Sequence, residues 1–282
     1  GSTRTKREEV CRMTVDNSFL IKKFQKFENI FVLFSQTTKL PFVECDEETF
    51  DDQVYVFTDE TRVQDFARKY TNEKLLLAAA KIPNAQFKGF LTSLYAIGVN
   101  ALMVQDEGAP VRVELEQLLP PPNAEAMQND KLPRFNPELQ LTAIYFLQEL
   151  RRPVERDLEG KKRLRALEEE MAANLMRSRF IIVLDIEENP KEGQPAPKNR
   201  KVKVPYVKTK NGEVFQPCYT DFGEFQKFNA RNKNVKLKLA AVAYDDLPKY
   251  LVGEAKGFVF NPAGFNLILT KEQMEQMKKN YS

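Results

Sequence analysis

Four short segments recur in the same order in the two halves of this chain, and that recurrence sets the unit that has to fold. Lys39-Leu40-Pro41-Phe42-Val43 returns as Lys203-Val204-Pro205-Tyr206-Val207, and Tyr55-Val56-Phe57-Thr58-Asp59 as Pro217-Cys218-Tyr219-Thr220-Asp221. Leu75-Leu76-Leu77-Ala78-Ala79 returns as Leu237-Lys238-Leu239-Ala240-Ala241, and Leu102-Met103-Val104-Gln105-Asp106-Glu107-Gly108 as Phe258-Val259-Phe260-Asn261-Pro262-Ala263-Gly264. A domain of about a hundred residues present twice fits this pattern. Each copy is then a control for the other when a residue looks functional.

Each copy spells one series of elements. An amphipathic helix (Leu20, Phe24 and Phe27; Leu164, Leu167, Met171 and Leu175) precedes an apolar strand, Ile30 to Phe34 or Phe180 to Leu184. A strand follows at Lys-x-Pro-aromatic-Val, then one ending in aromatic-Thr-Asp. Thr58 or Asp59, and Thr220 or Asp221, are placed to cap the next helix. A Leu-rich strand, a short helix (Phe87 to Ala96; Leu247 to Ala255), a hairpin and a closing helix complete the unit. Without strict βαβ alternation the class is α+β: two similar domains, each a mixed or antiparallel sheet with packed helices, joined by a helical linker. The expected boundaries are an N-terminal extension 1–17, a first domain 18–119, linker and connecting helices 120–164, and a second domain 165–282. In the linker, Asn136-Pro137 starts a helix whose apolar residues (among them Leu139, Ile144, Phe146 and Leu147) cover more than one face. This predicts burial between the domains or at a dimer contact. The Pro-, Gly- and Lys-rich stretch 187–200 reads as a hairpin tip.

Composition removes whole classes of chemistry. The chain has no histidine, which excludes Ser-His-Asp and Cys-His nucleophile pairs and His-ligated metal. Cys11, Cys45 and Cys218 are too few and too far apart for a disulfide framework, which favours a reducing, cytoplasmic setting. The opening Gly1-Ser2 leaves room for a removed signal peptide. No apolar run reaches the ~18 residues a membrane span needs. Residues 1–150 hold 17 Lys and Arg against 22 Asp and Glu, whereas residues 151–282 hold 26 against 18. Opposite charge on the two halves reads first as mutual complementarity and only second as a polyanion site.

Each remaining candidate has a plain structural reading. Asp46-Glu47-Glu48 with Asp51-Asp52 offers oxygen ligands for a hard cation but lacks the spacing of a calcium loop, so a solvated turn is the better reading. Cys218 lies near a helix start, where a thiol can be activated. Val56 fills the matching slot, which points to a core cysteine. Asn261-Pro262-Ala263-Gly264 reads as a tight turn, with glycine supplying a positive φ. The basic runs 161–165, 198–203 and 231–233 come without a nucleic-acid signature. No phosphate-binding glycine motif occurs.

Val204-Pro205-Tyr206-Val207, then Phe215 to Thr220, and Gly257 to Gly264 resemble the SseB N-terminal domain family, most clearly over about residues 180–280. The first copy is similar through Phe57-Thr58-Asp59. The resemblance implies an α+β domain, a bacterial setting and no catalytic residue to carry over. The expectation is a non-enzymatic protein that binds or scaffolds another protein, with no cofactor and no bound metal. Thr58, Asp59, Thr220, Asp221, Asn261, Pro262 and Gly264 serve as structural motif residues. The alternatives are an enzyme using carboxylate or lysine chemistry, and a nucleic-acid or anionic-surface binder through the basic second half. Nucleic acid is disfavoured as a partner.

Overall fold

The computed structural model describes residues 17–123, 131–188, 193, 201–230 and 235–282. The N-terminal extension with Cys11, part of the linker (124–130), most of the 187–200 loop and the basic run 231–233 lie outside the described residues. The chain is α+β and divides into two compact units. One comprises residues up to Pro122 together with Gln148–Glu155, and the other comprises Asn123–Leu147 together with Arg156–Ser282.

In the first unit, helix α1 (residues 17–24) leads into β1 (Asn29–Ser35). Then come β2 (Glu44–Cys45), β3 (Asp52–Phe57), α2 (Glu60–Arg68), β4 (Leu77–Pro83), α3 (Phe87–Ala96), β5 (Ala101–Gln105), β6 (Val111–Glu114) and the single turn α4 (Leu115–Leu118). The sheet order is β4-β1-β3-β5-β6, with β2 beside β3. β1 runs antiparallel to β3 and β4, and β3 runs parallel to β5. One face of the sheet packs Leu33, Phe42, Tyr55 and Phe57 against Val63, Phe66 and Tyr70. Phe24 and Phe87 meet at 5.4 Å between ring centroids, and both are buried. Each such ring taken out of water contributes about 1.5–3 kcal/mol.

The second unit contains most of α5 (Pro137–Leu150) and then α6 (Leu158–Arg177), β7 (Arg179–Glu188), β8 (Val207–Lys208), β9 (Val214–Cys218) and α7 (Phe222–Asn229). β10 (Val235–Ala243), a 3₁₀ segment (Tyr244–Tyr250), β11 (Gly257–Phe260), β12 (Leu267–Thr270) and α8 (Lys271–Tyr281) complete it. β10 pairs with β7, and the other strands run β12-β11-β9-β8. A bridge between Ile181 and Tyr219 ties β7 to the end of β9. Through that single bridge the strands follow the order and polarity of the first unit, down to the parallel central pair β9 and β11, although here they form a two-stranded and a four-stranded sheet.

Several elements differ from the sequence expectation, and proline accounts for two of them. The Lys-x-Pro-aromatic-Val segments form no regular strand. Pro41 makes one isolated bridge to Phe34, and ladder pairing begins only at Glu44 and at Val207. A residue without an N–H leaves a rung of a ladder unmade, a gap that β9 accommodates at Pro217 but these segments do not. The helix expected over 247–255 is instead the 3₁₀ segment ending at Tyr250, with Pro248 inside it. α1 stops at residue 24, so Phe27 packs on Phe24 from the following turn.

The irregular segment of the first unit is held by a side chain. Val43 donates its N–H to Gln148 Oε1 at 3.0 Å, and Gln148 Nε2 donates back to the Val43 carbonyl at 2.9 Å. The amide thus stands in for a neighbouring strand. Arg151 adds a bond to the Thr37 carbonyl at 3.1 Å. Gln148→Ala strips both partners from a buried peptide unit and should lower unfolding free energy by about 2–3 kcal/mol in urea titrations. A loss within ordinary surface scatter would show that water replaces the amide.

Candidate functional site

The sequence-flagged residues of the second unit converge on one buried polar network where β9 meets α7. Asn261 takes φ 52, a left-handed conformation that asparagine tolerates better than most residues. There its side chain turns back on the neighbouring strand. Thr220 donates its N–H to Asn261 Oδ1 at 2.9 Å, and Asn261 Nδ2 donates to Thr220 Oγ1 at 2.9 Å. The Thr220 hydroxyl donates to Asp221 Oδ2 at 2.7 Å. Asp221 Oδ1 accepts the Glu224 N–H at 3.0 Å, capping α7. Pro262 sits in a turn closed by the Gly264 N–H on the Asn261 carbonyl.

Gly264 has a different role from the one expected of it. The positive φ belongs to Asn261 and not to Gly264. A Cβ on Gly264 would lie 2.7 Å from Glu224 Oε2, so glycine there leaves room for the buried carboxylate, which any larger residue would have to displace.

Two members of the network escaped the sequence reading. Gln140, fully buried on α5, donates from Nε2 to Asp221 Oδ2 and to Glu224 Oε1, each at 3.1 Å. Glu224 is buried as well and pairs with Lys227 at 2.8 Å. The signals were present. Asp-x-x-Glu at a helix start resembles a capping box, and a glutamine on a helix apolar nearly all round needs a buried partner. Among the described residues, Gln140 Oε1 and Glu224 Oε2 have no hydrogen-bond partner. Burial, reinforced by the Glu224 charge, raises the Asp221 carboxyl above its ordinary 3.8.

The matching place in the first unit is solved with ions. Asp59 caps α2 by accepting the Thr61 N–H at 2.8 Å. Thr58 donates to Asp106 Oδ1 at 2.9 Å, Lys23 pairs with the other oxygen of Asp106, and Arg62 donates to its carbonyl. Burial opposes ionisation of Asp106, but Lys23 and Thr58 outweigh it and hold the carboxyl low.

The other candidates have structural roles. Asp46 accepts the N–H groups of Glu48 and Thr49, both at 2.9 Å, and so shapes the acidic turn. Asp51, salt-bridged to Arg112, is held at about 2. Among the described residues no cluster of acids, histidines or cysteines is arranged to hold a metal ion. Cys218 is buried, which pushes its thiol well up and away from reactivity. The basic run 161–165 lies along α6.

An open groove of about 300 Å³ lies in the second unit beside β8, with walls from Val204, Tyr206, Val214, Val252 and Ala255 and with Lys208 and Glu254 at its rim. Gln216 fixes one wall, donating to the Tyr250 carbonyl at 3.0 Å and accepting the Val252 N–H at 2.6 Å. Tyr206 is 62% exposed and Val252 44%. In the first unit Leu40, Pro41, Phe42 and Val43 are all buried. The same motif is therefore closed in one unit and open in the other.

Residues 161–276 match the family model described as SseB protein N-terminal domain. No curated protein matches the chain. Among solved structures, Anabaena Tic22 (protein transport) aligns over 81% of this chain and 83% of its own, at 10% identity and a TM-score of 0.22. Tic22 from Plasmodium falciparum aligns over 91% and 95%, at 12% identity and a TM-score of 0.21. No helix among the described residues is long and apolar enough to cross a membrane.

The raised Asp221 carboxyl gives a pH test. The folded state binds that proton more tightly than the unfolded chain does, so the stability it contributes is complete below 3.8 and is lost as pH rises through the raised folded value. The unfolding free energy of wild type minus that of Asp221→Asn should fall across this window and level off above it. Urea titrations at stepped pH provide the measurement. Parallel curves would place the titrating proton elsewhere.

Proposed function

We propose, from the SseB N-terminal domain match over residues 161–276, that this chain is a non-enzymatic binding protein whose second unit takes an apolar segment of another protein into the groove beside β8. One observation carries the reading. The second unit leaves Tyr206 and Val252 in water around a groove, whereas the first unit buries every residue of the corresponding Leu40–Val43 stretch. Exposed apolar side chains gathered round a concavity favour a partner over solvent. The groups that would serve carboxylate chemistry have other work: Asp221, Glu224 and Asp51 are taken up in caps and ion pairs.

The shared strand order also supports a tandem duplication in which one copy closed over the Lys-x-Pro-aromatic-Val segment and the other left it open. On this reading the boundaries are those of two domains, 18–119 and 165–282, with helices between. A cytoplasmic setting suits the unpaired cysteines Cys45 and Cys218.

Short fluorescent peptides test the binding role by anisotropy. Peptides carrying Leu and Phe should bind, and all-polar controls should not. Val252→Asp, which puts a charge on the groove wall, should weaken binding at least about tenfold while leaving the melting temperature unchanged. Equal binding by the variant, or no binding by wild type, would remove the groove from the function.

A further inference from the structure

The first unit carries a feature that fits this groove. Phe50 lies in the Asp46–Asp51 turn, 77% exposed and at φ 58. For an aromatic residue that backbone conformation is strained, and the turn holds it firmly. Phe50 donates its N–H to the Asp46 carbonyl at 2.8 Å, and Asp46 donates its own N–H to the Asp51 carbonyl at 2.9 Å. Asn100 Nδ2 donates to Asp51 Oδ1 at 3.0 Å, and Arg112 pairs with the other oxygen. The ring is thus presented on a rigid mount, so little freedom is lost when it is buried against a partner.

Charge matches as well as shape. Glu47 and Glu48 precede Phe50 in the same turn and are exposed, and among the described residues their carboxylates have no ion-pair partner. At the groove, Lys208 is exposed and likewise unpaired among the described residues, with Glu254 the one opposing charge in the lining, and Lys210 is exposed two residues further on, in the turn after β8. The wider balance runs the same way: residues 1–150 are net acidic and residues 151–282 net basic. An acidic turn carrying an aromatic ring complements an apolar groove that has one lysine in its lining and a second in the adjoining turn.

We propose that the occupant of the Tyr206 groove is a second copy of this chain, whose Phe50 inserts between Tyr206 and Val252 while Glu47 and Glu48 face Lys208 and Lys210. This rests on the reading of the groove as a binding site and names its partner. Donor and acceptor surfaces differ, so the contact is head-to-tail and each added copy leaves one knob and one groove free. A single knob covers less area than a stable interface requires, so the association is weak and rises with concentration.

Sedimentation velocity on the whole chain, from ~1 µM to ~1 mM, tests it. The average mass should climb with concentration at low salt and fall as salt screens the lysine–glutamate pairs. Phe50→Ser and Tyr206→Ala should each lower the association constant at least about tenfold. Mixing these two variants should restore association that stops at one-to-one, since one keeps the groove and the other the ring. Both positions are solvent-facing, and a charge-reversal pair guards against misfolding. E47K/E48K and K208E/K210E should each fail alone and associate when mixed. A chain monomeric throughout, an unchanged Phe50→Ser, or mixtures that stay monomeric would overturn the self-contact. If the monomer still binds apolar peptides through Tyr206, the groove remains a site for other chains. If it binds none, both readings fall.

Discussion

The second unit depends on a peptide-like pair of hydrogen bonds made by one side chain. Asn261 holds the N–H and the hydroxyl of Thr220 at once, and it does so only because its own backbone is left-handed. That fixes the end of β9 relative to the loop after β11, where the parallel ladder has just ended at Phe260 and Cys218. Parallel neighbours lack a tight turn to set their register, so side chains at the strand ends have to supply it. Thr220 then orients Asp221, Asp221 starts α7, and Glu224 one turn on meets Gln140 from α5. A buried chain of this kind is costly to leave half-made, which makes each link depend on the others.

The first unit solves the same junction with weaker demands. Thr58 is kept, but its partner is Asp106, balanced by Lys23 and Arg62 at a site water can reach. Ion pairs at such sites tolerate imprecise geometry and contribute little each. No left-handed asparagine is needed, and Gln105 turns instead to the Gly108 carbonyl. The two units share a strand plan and differ in how the plan is locked.

This difference explains what could be read from the sequence. Strand order follows from hydrophobic segments and turn residues, and β1, β3, α2, α3 and β5 stand close to where those signals place them. The capping aspartates were legible because Asp before a helix has one common use. Gln140 was not, because its partners lie 81 and 84 residues away and no local rule joins them. Gly264 was legible as a favoured glycine but for the wrong reason. Its constraint is a carboxylate from another element, whereas the local pattern suggested a backbone angle. At Pro41, Pro205 and Pro248 a missing donor overrides an otherwise good apolar pattern.

The same proline effect accounts for the groove. A segment that cannot complete a ladder leaves peptide groups and apolar side chains without strand partners, and something else has to cover them. In the first unit the Gln148 amide and the Tyr70 ring, 5.4 Å from Phe42, do this. In the second unit Gln216, from within the sheet, reaches the 250–252 loop and props it beside the segment without covering it. A side chain that braces the wall of a gap preserves the gap. Tyr206 also differs from Phe42 by a hydroxyl, which lets the ring stand in water at lower cost than a phenyl group would. Brace and hydroxyl act in the same direction, keeping an apolar concavity open at a place where the fold itself only requires it to be filled.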